Sequence, residues 1–141
     1  MLKRLNLKVI LAVLGLALSV STVAAGAEVT VFFLPFSIQT YLGITRSTIE
    51  TRASENWVIS DPSQVTHLIA LLDGGVKMSS DKFSESDVRA KVYADKEIYF
   101  VDAEGVVIKG DRATKINTSD FMKFRDSLRP DQFRTIPHPK N

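Results

Sequence analysis

Between Val88 and Ile108 three apolar segments follow one another with almost no chain between them, and this spacing constrains the fold more than any other feature. Val88, Ala90 and Val92 alternate with Arg89, Lys91 and Tyr93; Ala94–Glu97 turns the chain; Ile98 and Phe100 then alternate with Tyr99 and Val101. Asp102-Ala103-Glu104-Gly105 has the Asp-first, Gly-last chemistry of a type I turn, and Val106-Val107-Ile108 runs out to Gly110-Asp111. Parallel strands need a crossover of a dozen or more residues, which these connections do not supply. The segment is therefore an antiparallel meander.

Helical patterning flanks it. Asp61 is a good N-cap, Pro62 falls at the first helical position and Gln64 at the third, and Val65, Leu68, Ile69 and Leu72 form an i, i+3, i+4, i+7 stripe ending at Gly74-Gly75. Asn117 or Thr118 caps a second helix in which Phe121, Phe124 and Leu128 share a face before Pro130. Upstream, Val29–Ser37 reads as a strand buried on both sides and ending near Pro35, and Ile44–Arg52 reads as a second strand with one wet face. Trp57-Val58-Ile59 is a short third apolar piece, and Lys77–Asp87 is a polar connection with four serines and Phe83 as its apolar anchor. The expected fold is α+β: a single small domain with a curved, mostly antiparallel sheet of about five strands covered by two helices.

The first 27 residues read as a secretory signal peptide. Lys3, Arg4 and Lys8 are its basic region, Val9–Val20 its apolar core, and Ala25-Gly26-Ala27 an A-x-A cleavage pattern, with cleavage after Ala25 as the second site. The apolar run is short for a membrane span, although Val9–Ala27 could serve as an uncleaved anchor. The reading divides the chain into a leader at 1–27, an α+β domain at 28–130 and an extended tail at 131–141, in which Phe133 and Ile136 are available to pin the chain. It places the protein in the periplasm or outside the cell.

The leader also decides what the charge means. It holds three of the 18 Lys and Arg and none of the 16 Asp and Glu, so the remainder carries a net charge of −1 rather than the +2 of the whole chain. Nucleic acid is therefore excluded as a partner. An asymmetry remains: residues 28–108 carry 7 basic and 12 acidic groups, residues 109–141 carry 8 basic and 4 acidic.

No catalytic constellation is visible. Zero cysteines exclude disulfides, thiolate metal sites and a cysteine nucleophile. Of the two histidines, His67 falls opposite the apolar stripe of its helix and His138 lies between prolines in the tail. Neither is spaced as a metal pair or placed to serve a serine. No Gly-x-Ser-x-Gly or phosphate loop occurs, and Asp95/Glu97 and Asp102/Glu104 sit in turns, where solvated carboxylates are ordinary. Asn117-Thr118-Ser119 matches a glycosylation sequon, but Asn117 already has a capping role. Tyr93, Tyr99 and Phe100 could stack across a hairpin, and packing is the default for such residues.

These features imply a non-enzymatic, cofactor-free module that binds another protein: an inhibitor or immunity protein that blocks a toxin or envelope hydrolase by occupying it. Its expected contacts are Phe83 in the Ser79–Asp87 loop, the turns at Asp95 and Asp102, and the basic set Lys123, Arg125, Arg129 and Arg134. Arg125 and Arg129 lead that set, because a guanidinium fork suits a carboxylate-rich cleft. Two other readings are an accessory subunit of an envelope secretion or adhesion assembly held by its leader, and a small-ligand or lipid-binding module. The last of these requires an empty apolar pocket between sheet and helices.

Overall fold

Eight strands form the frame: β1 (Val29–Phe33), β2 (Glu55–Ile59), β3 (Val76–Met78), β4 (Val88–Ala94), β5 (Glu97–Asp102), β6 (Val106–Lys109), β7 (Arg112–Lys115) and β8 (Phe133–Arg134). They build one open sheet in the order β3-β7-β6-β5-β4-β1-β2-β8, with every ladder antiparallel. This is a computed structural model, and it describes residues 27–135. The apolar leader with its cleavage pattern, Ile136 and His138 lie outside the described residues, apart from Ala27 at their edge.

Two main helices, α2 (Pro62–Asp73) and α3 (Thr118–Asp126), pack on one face of the sheet. Asp61 accepts from the backbone N–H groups of Ser63 and Gln64 and so caps α2, with Pro62 at its first position. Asn117 accepts from Ser119 N at 2.9 Å and caps α3. Val65, Leu68 and Leu72 of α2 and Phe121 and Phe124 of α3 meet Val29, Val31 and Phe33 of β1, Trp57 and Ile59 of β2, and Val92 of β4. That layer is the principal core. Phe33, Trp57 and Phe121 are mutually stacked at 5.1–5.8 Å between ring centroids.

A bulge divides the two faces. Val88 pairs with Asp102 while Ala90 pairs with Val101, so Arg89 is the extra residue on β4. Val88 consequently faces the opposite side of the sheet from Ala90 and Val92. There it joins a second, smaller core with Leu34, Ile44, Ile49, Phe83, Val106 and Ile108, built from chain excursions over residues 34–53 and 79–87.

Several sequence expectations need correction. Ile44–Arg52 is not a strand: Ile44 makes one isolated bridge to Asp87, and Ile49–Arg52 forms the short helix α1. Thr45 N donates to Thr48 Oγ1 at 2.9 Å, and Thr45 O accepts from Thr48 N and Ile49 N. Hydroxyls of this kind compete with strand ladders for the backbone. Strand β1 ends at Phe33, short of Ser37. The sheet has eight strands rather than about five, because β3, β7 and β8 are only two to four residues long. Gly110-Asp111, read as a strand end, is a two-residue hairpin loop between the paired Lys109 and Arg112, with Gly110 at φ +59°. Part of the expected extended tail turns at Pro130–Gln132 and adds β8 to the edge of β2, with Phe133 opposite Trp57.

Candidate interaction site

Most of the charges expected to meet a partner are occupied within the chain. Arg125 donates from Nε to Glu55 Oε2 at 3.1 Å and from Nη2 to Glu55 Oε1, with a further bond to Asp126 at 3.0 Å. The hydrogen bonds to Glu55 push the Arg125 guanidinium further up than an ordinary arginine. Glu55 also accepts from Trp57 Nε1 at 2.9 Å, so this pair fixes the orientation of a core indole. Arg129 pairs with Asp131 at 3.3 Å, and Lys123 lies 3.9 Å from Asp120 in an exposed i, i+3 pair. Arg134 is exposed on edge strand β8.

The expected contacts in turns divide in the same way. Asp95 is exposed at the β4–β5 turn with φ 56°, a left-handed conformation that Asp tolerates better than most residues. Asp102, expected as a solvated turn carboxylate, is buried at 1% exposure. Its Oδ1 accepts from Glu104 N (2.9 Å) and Val106 N (2.8 Å), and its Oδ2 from Ser84 N (2.9 Å). It therefore ties the 79–87 excursion to the β5–β6 turn, and it is buried rather than presented as expected. Phe83 is likewise buried, because it anchors that excursion in the second core, with the Arg46 guanidinium 5.1 Å from its ring centroid.

The surface that remains available lies where local patterning carries little signal. Pro35 ends β1, and Ile38 N bonds Pro35 O at 3.2 Å in a turn. Phe36 stacks edge-on against Phe33 and Phe121, which pins the incoming arm of the loop to the principal core. The outgoing arm is held by Ile44 N to Ser86 O (3.0 Å) and Val88 N to Ile44 O (2.8 Å). At Gly43 the backbone passes so close that a Cβ would sit 3.1 Å from Ser86 O. Between these anchors three large apolar side chains stand in water: Ile38 at 38%, Leu42 at 62% and Tyr41 at 108% relative exposure. Exposed apolar residues scattered singly, as Val76 and Ile98 are, are ordinary, but here three fall within five residues of one anchored loop.

Beneath the loop lies Arg89, the bulge residue, buried at 3% exposure. Its Nη2 donates to Ile38 O at 2.9 Å, its Nη1 to Val88 O at 3.3 Å, and Nη1 also pairs with Asp87 Oδ1 at 2.6 Å. Its own carbonyl accepts from Leu34 N at 2.8 Å. Nothing in the local pattern marks this arginine, since alternation along β4 places it on the polar side.

Two polar clusters elsewhere have their charges paired within the chain. On the second face, Glu50 Oε1 accepts from Lys91 Nζ at 2.6 Å and from Tyr93 OH, with Lys91 4.6 Å from the Tyr93 ring centroid. Hydrogen bonds from Lys91 and then Tyr93 hold the Glu50 carboxyl below its ordinary range. At the end of α2, Tyr99 OH lies 3.1 Å from Asp73 Oδ1, and Lys109 Nζ reaches that oxygen at 3.0 Å. Burial, and then the Asp73 charge, push the Tyr99 phenol up. A phenol serving as base or nucleophile requires the reverse shift. Beside it the gap lined by Leu72, Tyr99 and Thr114 has a volume of about 10 Å³, room for one water at most. No group of three His, Asp or Glu suited to a metal ion occurs among the described residues. His67 is exposed on α2 and meets the Phe124 ring edge-on at 5.4 Å.

Comparison with protein families, curated proteins and solved structures finds no significant match to this chain.

Proposed function

We propose that this chain is an exported protein-binding module, an inhibitor or immunity protein that blocks a toxin or envelope hydrolase by occupying it. The observation that supports this reading is the Ile38–Leu42 tip: apolar, led by a fully exposed tyrosine, and anchored at both ends to buried structure. Tyrosine contributes large contact area at low conformational cost and is enriched where binding energy concentrates. An anchored loop loses less entropy on docking than a free one, so more of its contact energy appears as affinity. The basic set Lys123, Arg125, Arg129 and Arg134, largely paired within the chain, serves as a rim that steers encounter. The continuous set of buried apolar residues between sheet and helices, among the described residues, supports a binder of surfaces over a binder of small ligands.

The test is capture followed by titration. The full chain, expressed with its own leader and tagged at its C-terminus, is incubated with native envelope extract, and the bound partner is purified and assayed. The proposal expects one partner whose activity falls to a plateau at one equivalent. A partner whose activity is unchanged at saturation would refute the inhibitory reading, and recovery only within a multi-protein assembly would replace it with the subunit reading.

A further inference from the structure

We infer that Arg89 is the positioning residue of the recognition loop, holding Ile38–Leu42 in its presented conformation without taking part in contact itself. That the loop recognises a partner rests on the proposed function; that Arg89 holds it rests on the geometry. One residue holds the loop twice: its carbonyl accepts from Leu34 N at the root, and its guanidinium donates to Ile38 O at the base of the tip. The bulge makes this possible. Regular pairing at Arg89 would take it out of this position and leave Val88 facing the principal core, so the extra residue both seats Val88 in the second core and turns the guanidinium under the loop.

Burying a guanidinium is costly, and its retention requires bonds that offset desolvation. Arg89 is only partly satisfied: Asp87 supplies one counter-charge from a half-exposed side chain, two backbone carbonyls accept, and Nε has no partner among the described residues. An apolar side chain would fill a buried site at a lower desolvation cost. What it could not do is accompany an ion pair to Asp87 with a donor to Ile38 O. Lysine fails for a related reason, since its single ammonium on a flexible stem does not reproduce a rigid fork that spans both acceptors.

The experiment needs no partner. Arg89→Met and Arg89→Lys are compared with the native chain by chymotrypsin cleavage, with fragments assigned by mass spectrometry, and by amide exchange over residues 36–44. Emission of Trp57 reports the integrity of the principal core. Losing a charge-assisted hydrogen bond to a loop carbonyl predicts cleavage after Tyr41 about tenfold faster or more, with exchange accelerated at Ile38–Gly43 and Trp57 emission unchanged. Arg89→Lys provides the result if Arg89→Met fails to fold, because it keeps a cation beside Asp87. Unchanged cleavage and exchange in a folded Arg89→Lys chain would overturn the inference, as would acceleration spread evenly over all cleavage sites. The functional reading fails separately: Tyr41→Ser would then leave partner binding intact whatever Arg89 does to the loop.

Discussion

Replacing Arg125 by leucine tests whether the most prominent basic residue of α3 is a structural element or a free contact. Its guanidinium makes two bonds to Glu55, which also accepts the Trp57 indole N–H. The side chains of Arg125 and Glu55 are 32% and 17% exposed, so the pair is neither fully solvated nor fully buried. Exposed pairs contribute about 0.2–1 kcal/mol, and breaking a buried one costs about 3–5 kcal/mol. A bidentate pair at this depth should therefore couple by about 1.5 kcal/mol, and Arg125→Leu should cost about 2 kcal/mol in all. The leucine stem would keep part of the packing on Phe133, whose ring centroid lies 5.4 Å from the native guanidinium carbon. The assay is a double-mutant cycle of Arg125→Leu and Glu55→Gln by urea unfolding, followed through the chain's single tryptophan. For a domain of this size each kcal/mol also lowers the melting temperature by about 4–8 °C. A coupling under about 0.5 kcal/mol would sink the structural assignment, because it would make the pair an ordinary surface contact.

Other consequences follow from single residues. Leu68→Ala, at 0% exposure in the principal core, should cost about 3–4 kcal/mol in urea unfolding. Asp102→Asn removes one of the two acceptor oxygens shared by Ser84, Glu104 and Val106, and should cost about 2 kcal/mol with faster amide exchange at Ser84 or at the β5–β6 turn. Gly105→Ala should be among the most damaging small substitutions, measured as lost soluble yield and melting temperature. At φ +84° its Cβ would lie 2.8 Å from Ile116 O. For Glu50, whose carboxyl is lowered in the folded chain, the contribution is fully present above the unfolded carboxyl pKa and is lost as pH falls through the folded one. Glu50→Gln should thus flatten the fall of stability below about pH 5, modestly, because the group is part-exposed and screened by salt.

Local patterning made some of this legible and not the rest. Helix α2 could be read because cap, proline and stripe all lie within one short window. The meander could be read because its turns carry Asp and Gly at the required positions. Strands β3, β7 and β8 could not, since two to four residues show no period; β3 and β8 pair with partners far away in the chain, and β7 pairs with its neighbour β6 only because Gly110-Asp111 is a hairpin loop rather than a strand end. Alternating Thr and Ser imitated a strand at Ile44–Arg52, where local hydroxyl bonds instead close a helical turn. At the candidate site, the basic composition of residues 109–141 was visible, but the partner of Arg125 is Glu55, 70 positions upstream. The exposure of Tyr41 has no local signature, because it follows from which neighbours are pinned. The placement of Arg89 depends on a bulge that single-sequence patterning does not reveal.

Partner recognition, on this reading, resides in the Ile38–Leu42 tip and not in the basic set around Lys123 and Arg129. The decisive quantity is the dissociation constant of the captured partner for the native full chain, for Tyr41→Ser/Leu42→Ser, and for Lys123→Ser/Arg129→Ser. Loss of an aromatic and an aliphatic anchor predicts affinity weaker by about a hundredfold or more for the loop variant. The basic-set variant should change mainly the association rate and its salt dependence. Undiminished affinity in the loop variant, with binding abolished in the basic-set variant, would place recognition on the basic set and overturn the assignment to the loop.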